Sequence, residues 1–117
     1  MEFRDLKKQY ETLKSSIDAS IQNVINNTAF ISGPQVKELE DQLASYVGRK
    51  HCITCGNGTD ALSMVLMAWD IKPGDAVFVP DFTFFATGEV VSFEGATPIF
   101  VDVKEDTFNM DPGKLED

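Results

Sequence analysis

Apolar side chains recur at steps of three and four from the start of the chain: Phe3, Leu6, Tyr10, Leu13, Ile17, Ile21, Val24 and Ile25. That period lays one stripe along a helix of about six turns ending at Asn26–Asn27. A stripe so regular must bury against the rest of the domain or against another chain. Thr28 to Gly33 reads as a connecting loop carrying an apolar Phe30–Ile31 pair. Gly33–Pro34 then opens a second helix, because proline at the first helical position forfeits no hydrogen bond. Val36, Leu39, Leu43, Tyr46 and Val47 form its apolar face, and Gly48 closes it.

Past Arg49–Lys50 the texture changes. His51 to Cys55 is a short β-like run, followed by the turn Gly56–Asn57–Gly58. Thr59 to Trp69 is a third helix, apolar at Ala61, Leu62, Val65, Leu66 and Trp69. Lys72–Pro73–Gly74–Asp75 is a turn, and Ala76 to Pro80 a short apolar strand. A fourth helix spans roughly Phe85 to Glu94, stopped by Gly95, and Thr97 to Val103 is a third strand. Asp111–Pro112 has the form of an N-cap and first helical position. Strands alternating with helices mean βαβ crossovers and a parallel sheet. The fold class is therefore α/β, with amino-terminal helices followed by a partial parallel sheet. Residues 1–48 form the helical segment, and residues 49–117 begin an α/β domain.

Composition narrows the function. With 117 residues, 43% of them hydrophobic, the chain is long enough to bury a core without disulfide or metal staples. A net charge of −9 argues against nucleic acid and anionic membranes, which both require a basic footprint. The excess is confined to residues 60–117, where twelve acidic side chains face only Lys72, Lys104 and Lys114. A solvated acidic face accounts for this without any partner. No apolar run approaches a membrane span and no signal peptide precedes the first helix, so a soluble cytoplasmic protein is expected.

Two loops could carry chemistry. Gly56–Asn57–Gly58–Thr59–Asp60 lies between a predicted strand and a predicted helix. Glycines there let backbone approach a ligand, and the free N–H groups of a helix start form an anion site. Thr59 adds a hydroxyl donor suited to a phosphate oxygen. The segment satisfies neither the Walker nor the dinucleotide fingerprint, and an ordinary capped turn has the same composition. The second loop, Pro80 to Thr87, follows the middle strand and holds Phe82, Phe84 and Phe85. Ligands of open α/β sheets lie beyond the carboxyl ends of the strands, where an aromatic face could stack on a planar ring. Cys52 and Cys55 form a C-x-x-C without a second pair for zinc, and on a strand they point to opposite faces. His51 has no evident partner, and nothing sets the separation of Asp81 and Asp102. No catalytic residue and no metal ligand is assigned.

In these loops and the stretches around them the sequence resembles the amino-terminal part of the DegT/DnrJ/EryC1/StrS family of sugar aminotransferases. The matching stretches are F-I-S-G-P at 30–34, G-N-G-T-D-A-L at 56–62, I-K-P-G-D at 71–75, V-P-D-F-T-F-F-A-T at 79–87, G-A-T-P-I-F-V-D-V at 95–103 and D-T-F-N-M-D-P at 106–112. The resemblance implies a fold-type I enzyme using pyridoxal 5′-phosphate (PLP) on nucleotide-linked keto sugars. Residues 49–117 would then open its PLP-binding large domain. It implies that Gly58, Thr59 and Asp60 hold the PLP phosphate in a loop shaped by Asn57, and that Phe84 stacks on the pyridine ring. It implies that Phe30, Ile31, Ser32 and Gly33 lie near the nucleotide-sugar site, usually completed by a second subunit of a homodimer.

Family members run to roughly three times this length, and their Schiff-base lysine lies beyond residue 117. None of the lysines here occupies its motif. Transamination needs that lysine, so the 117-residue chain alone is expected to be inactive and to bind PLP weakly or not at all. The resemblance implies glutamate as the amino donor of the parent enzyme. Relatives with histidine in place of the lysine are sugar dehydratases, and the stretch present here does not separate the two. A stand-alone α/β phosphate-binding or interaction module is the alternative from another class. So short a piece of a large domain leaves sheet edges and helix sides uncovered. It is expected to oligomerise or to be marginally ordered, with the stripe from Phe3 to Ile25 as the self-association surface.

Overall fold

The computed structural model describes residues 3–115. The outermost residues of the two expected segments, 1–2 and 116–117, lie outside the described residues. The chain divides into two compact units, Met1–Thr54 and Cys55–Asp117.

The first unit is helical. Helix α1, Leu6–Asn27, starts where the Asp5 carboxylate accepts from the Lys8 N–H at 2.8 Å. It ends at Thr28, which takes a left-handed conformation with φ 50°. Midway along it, Asp18 accepts from both the Lys14 ammonium and the Tyr10 hydroxyl, and this holds its carboxyl below the ordinary range. None of the residues of α1 is buried, so the stripe from Leu6 to Ile25 lies uncovered. Helix α2, Pro34–Tyr46, begins with proline after Gly33 and ends before Gly48, whose φ of +64° suits glycine.

His51 to Cys55 departs from the strand expected of it. Among the described residues this run joins no ladder. Its non-local hydrogen bonds among the described residues go to Glu40 of α2, whose carboxylate accepts from the Thr54 N–H at 2.9 Å and the Thr54 hydroxyl at 3.0 Å. Both bonds favour the ionised form and hold the Glu40 carboxyl below its ordinary value. An alternating apolar run supplies one face of a strand, but a strand also needs a neighbour, and here a side chain fills that place.

The second unit contains helix α3 (Gly58–Ala68), strand β1 (Ala76–Pro80), helix α4 (Ala86–Phe93) and strand β2 (Thr97–Val101). The strands are parallel, with Ala76 opposite Thr97 and Pro80 opposite Val101. Among the described residues the sheet thus has two strands rather than three, and β2 ends at Val101. Val103 instead makes an isolated antiparallel bridge to Met110. Leu66, Val79, Val90, Val91 and Ala96 form the core, and Val91 is only 1% exposed. Beyond it, Asp111 caps a single 3₁₀ turn, Pro112–Lys114, by accepting from the Gly113 N–H at 3.0 Å.

Connectivity sets the orientation that matters for function. Helix α4 carries the chain back from the end of β1 to the start of β2. Helix α3 feeds β1 through a short turn and packs chiefly against α4, with Leu66 in the core cluster that also holds Val79 of β1. Its 11 residues are about 16 Å long, close to the length of a five-residue strand. The first turn of α3 and the loop after β1 therefore lie toward the same end of the unit, that of the carboxyl ends of the strands, where α/β ligands lie.

Candidate functional site

At the entrance to α3, Asn57 is the N-cap. Its Oδ1 accepts from the Asp60 N–H at 3.0 Å, and its Nδ2 donates to Asp60 Oδ2 at 3.1 Å. The Asn57 carbonyl accepts from the Ala61 N–H at 3.2 Å and from the Cys55 thiol, also at 3.2 Å. Two first-turn amides, those of Gly58 and Thr59, donate to no acceptor among the described residues. A Cβ at Gly58 would meet nothing within 4 Å, so the space beside these donors is open. Thr59 is half-buried, and its hydroxyl is likewise unengaged among the described residues. Two amides, one hydroxyl and the positive end of an 11-residue helix can bind an anion.

The loop Asp81–Phe85 stands toward the same end of the unit. Thr83 and Thr87 join it to α4 through hydroxyls 2.8 Å apart. Thr87 and Leu62, one turn into α3, line a common apolar groove of about 230 Å³. Phe84 and Phe85 are exposed at 78% and 75%. Phe84 lines a larger cavity of about 420 Å³ with Asp81, Gly88, Glu89, Pro98 and Phe100, on the flank of α4 facing β2. No residue of α3 lines that cavity. The Gly58 and Thr59 amides thus stand outside the cavity that Phe84 lines. Phe82 is not beside Phe84 in this wall; its ring packs against Phe108 with centroids 5.3 Å apart, inclined at 41°.

The remaining expected site residues lie in the other unit. Phe30, Ile31 and Ser32 are exposed in the loop between α1 and α2, with Ser32 at φ 48°, and Gly33 is buried. Gly33 has a steric reason to be glycine, since a Cβ there would lie 2.6 Å from the Ala29 carbonyl oxygen. Cys52 and Cys55 are free thiols, and among the described residues no group of three or more His, Cys, Asp or Glu side chains could hold a metal. No helix among them is long and apolar enough to cross a membrane. Sequence reasoning missed two features. Glu40 reaches Thr54 across 14 positions, which no local pattern signals. The reciprocal Asn57–Asp60 pair did leave a signal, an N-cap residue followed three positions later by an acid.

The DegT/DnrJ/EryC1/StrS aminotransferase family matches residues 11–117. The chain belongs to that family. A UDP-2-acetamido-2-deoxy-3-oxo-D-glucuronate aminotransferase of Pseudomonas aeruginosa is 52% identical over 116 residues, which is 99% of this chain and 32% of the relative. The crystal structure of a DegT DnrJ EryC1 StrS aminotransferase from Brucella abortus superposes with a TM-score of 0.94 at 49% identity, over 99% of this chain and 31% of the other. A further match is NtdA from Bacillus subtilis with bound cofactor PMP, at a TM-score of 0.82 and 35% identity, over 87% of this chain and 23% of the other. The chain spans about a third of the length of the curated relatives it matches. Its α/β architecture is that of the corresponding stretch of a fold-type I aminotransferase.

Proposed function

We propose that this chain carries the phosphate-binding and ring-facing segments of a PLP-dependent aminotransferase acting on nucleotide-linked keto sugars. The observation that carries the proposal is the pair of amides at Gly58 and Thr59 that donate to no acceptor among the described residues, at the start of a helix, together with the exposed ring of Phe84 in the loop after β1. PLP presents a phosphate dianion and a flat aromatic ring, and the residues fit both. Gly58 and Thr59 offer N–H donors and a hydroxyl to the phosphate, within the turn that Asn57 and Asp60 shape. Phe84 offers a ring face for stacking. When bound, PLP supplies the electron sink through which an amino group is moved. The chain's own part is to anchor the phosphate and orient the ring.

Phe30, Ile31, Ser32 and Gly33 are assigned to the nucleotide-sugar side. The buried Gly33 holds the loop close to the Ala29 carbonyl while Phe30 and Ile31 stand exposed. Exposed apolar side chains beside a hydroxyl suit a nucleotide-linked sugar, which has both flat and polar faces. We assign the uncovered stripe of α1 to contact with a second subunit in a cytoplasmic homodimer.

Thr59→Ala in the complete protein tests the central assignment. It removes one of three phosphate donors and should weaken PLP affinity about tenfold, an ordinary loss for a hydrogen bond to a charged group. Affinity for pyridoxal, which has the same ring without the phosphate, should hold. Unchanged PLP affinity would overturn the assignment.

A further inference from the structure

The two glycines of the Gly56–Asn57–Gly58 turn have different surroundings. At Gly58 a Cβ would meet nothing within 4 Å. At Gly56 it would lie 2.7 Å from Asp60 Oδ2. The space that Gly56 leaves is thus taken by an anion belonging to the chain itself. Asn57 fastens the same oxygen, because its Nδ2 donates to Asp60 Oδ2 while its Oδ1 accepts from the Asp60 N–H.

This arrangement answers an electrostatic problem. A carboxylate in the first turn of a helix is favoured by the same positive field that favours a bound phosphate. Left free to rotate, it would compete for the Gly58 and Thr59 donors and repel a dianion drawn to them. We infer that Gly56 and Asn57 form a holder for the Asp60 carboxylate, making Asp60 a positioning residue that keeps its own charge out of the phosphate's place. The inference rests on the phosphate assignment above. It gives Asp60 a part distinct from that of a phosphate ligand, since its N–H is already occupied by Asn57.

The holder predicts coupling between two positions. A Cβ at Gly56 meets the far end of a flexible side chain, so the carboxylate swings out while the backbone stays. Gly56→Ala in the complete protein should therefore weaken PLP binding about tenfold, within the range of a charge acting at a helix end. Pyridoxal affinity should stay within about twofold. Adding Asp60→Asn to Gly56→Ala removes the displaced charge, and PLP affinity should return to within about threefold of that of Asp60→Asn alone. Asp60→Glu, whose carboxylate is one methylene too long for the seat, should weaken PLP binding by a factor similar to Gly56→Ala. It reads the same effect without touching the backbone, should the glycine variant fold poorly. Both dissociation constants are read by absorbance titration of the apoprotein. If Gly56→Ala and Asp60→Glu leave PLP affinity unchanged, or if the Gly56→Ala loss persists undiminished with Asp60→Asn, the holder is wrong. A normal loss in Thr59→Ala alongside either result confines the failure to the holder; no loss in Thr59→Ala places it in the phosphate assignment itself.

Discussion

Replacing Asn57 separates the two tasks its side chain performs. Asn57→Ala removes the acceptor for the Asp60 N–H, now 3.0 Å away, and the donor to the Asp60 carboxylate at 3.1 Å. Loss of an N-cap of this kind costs about 1 kcal/mol. The first turn of α3 frays, and the Gly58 and Thr59 amides lose their fixed aim. Asn57→Asp restores a cap acceptor but sets a second carboxylate beside Asp60, with no donor between them. Stability should then fall by less than with alanine, because a like-charge pair on a helix costs only a few tenths of a kcal/mol. Phosphate affinity should nevertheless fall at least as far, by about tenfold, since two negative charges now stand at the anion site. Urea unfolding measures the first quantity, and PLP titration of the apoprotein the second. The expected order is reversed between the assays: alanine is worse for stability, and aspartate is equal or worse for binding. If the variants rank the same way in both, capping and anion binding are not separable at this residue and the reasoning fails.

Other predictions concern the rest of the chain. Glu40 is held ionised by Thr54, so its bond should stabilise the fold above the ordinary glutamate pKa and be lost as pH falls through the lowered value in the folded state. Glu40→Gln should flatten the acid limb of a stability-versus-pH curve, and an unchanged limb would refute the tie. Gly33→Ala forces a Cβ to 2.6 Å from a backbone oxygen that cannot swing aside, and should cost about 1–3 kcal/mol in denaturant unfolding. Gly48→Ala meets no neighbour but must hold φ +64°, at about 1–2 kcal/mol.

The helices and the two strands were legible because each is written in a local period with punctuation. Gly33–Pro34, Asn57, Gly95 and Asp111–Pro112 all stand at element ends, and the hydrophobic steps of α3 and α4 converge on Leu66, Val90 and Val91. Pairing was less legible. His51 to Cys55 has the composition of a strand, yet pairing is non-local, and the run is tied to Glu40 instead. The α1 stripe was read correctly as a period, but a period does not name its cover, and none of its residues is buried. In the candidate site the donors were foreseeable from the turn and the helix start. The purpose of Gly56 was not, because a glycine vacated for a neighbouring carboxylate looks in sequence like one vacated for a ligand.

The register of the two strands has a consequence for synthesis. Ala76 pairs with Thr97, so β1 has no partner until some twenty further residues, including all of α4, have left the ribosome. At about 5–20 residues per second that interval is about 1–4 s. Through it, Leu66 of α3 and Val79 of β1 wait for Val90, Val91 and Ala96, the residues that bury them. The Asn57 turn emerges earlier still, on a helix whose apolar side has nothing to rest on. The arrival of β2 therefore sets the clock for the first stage of assembly of this unit.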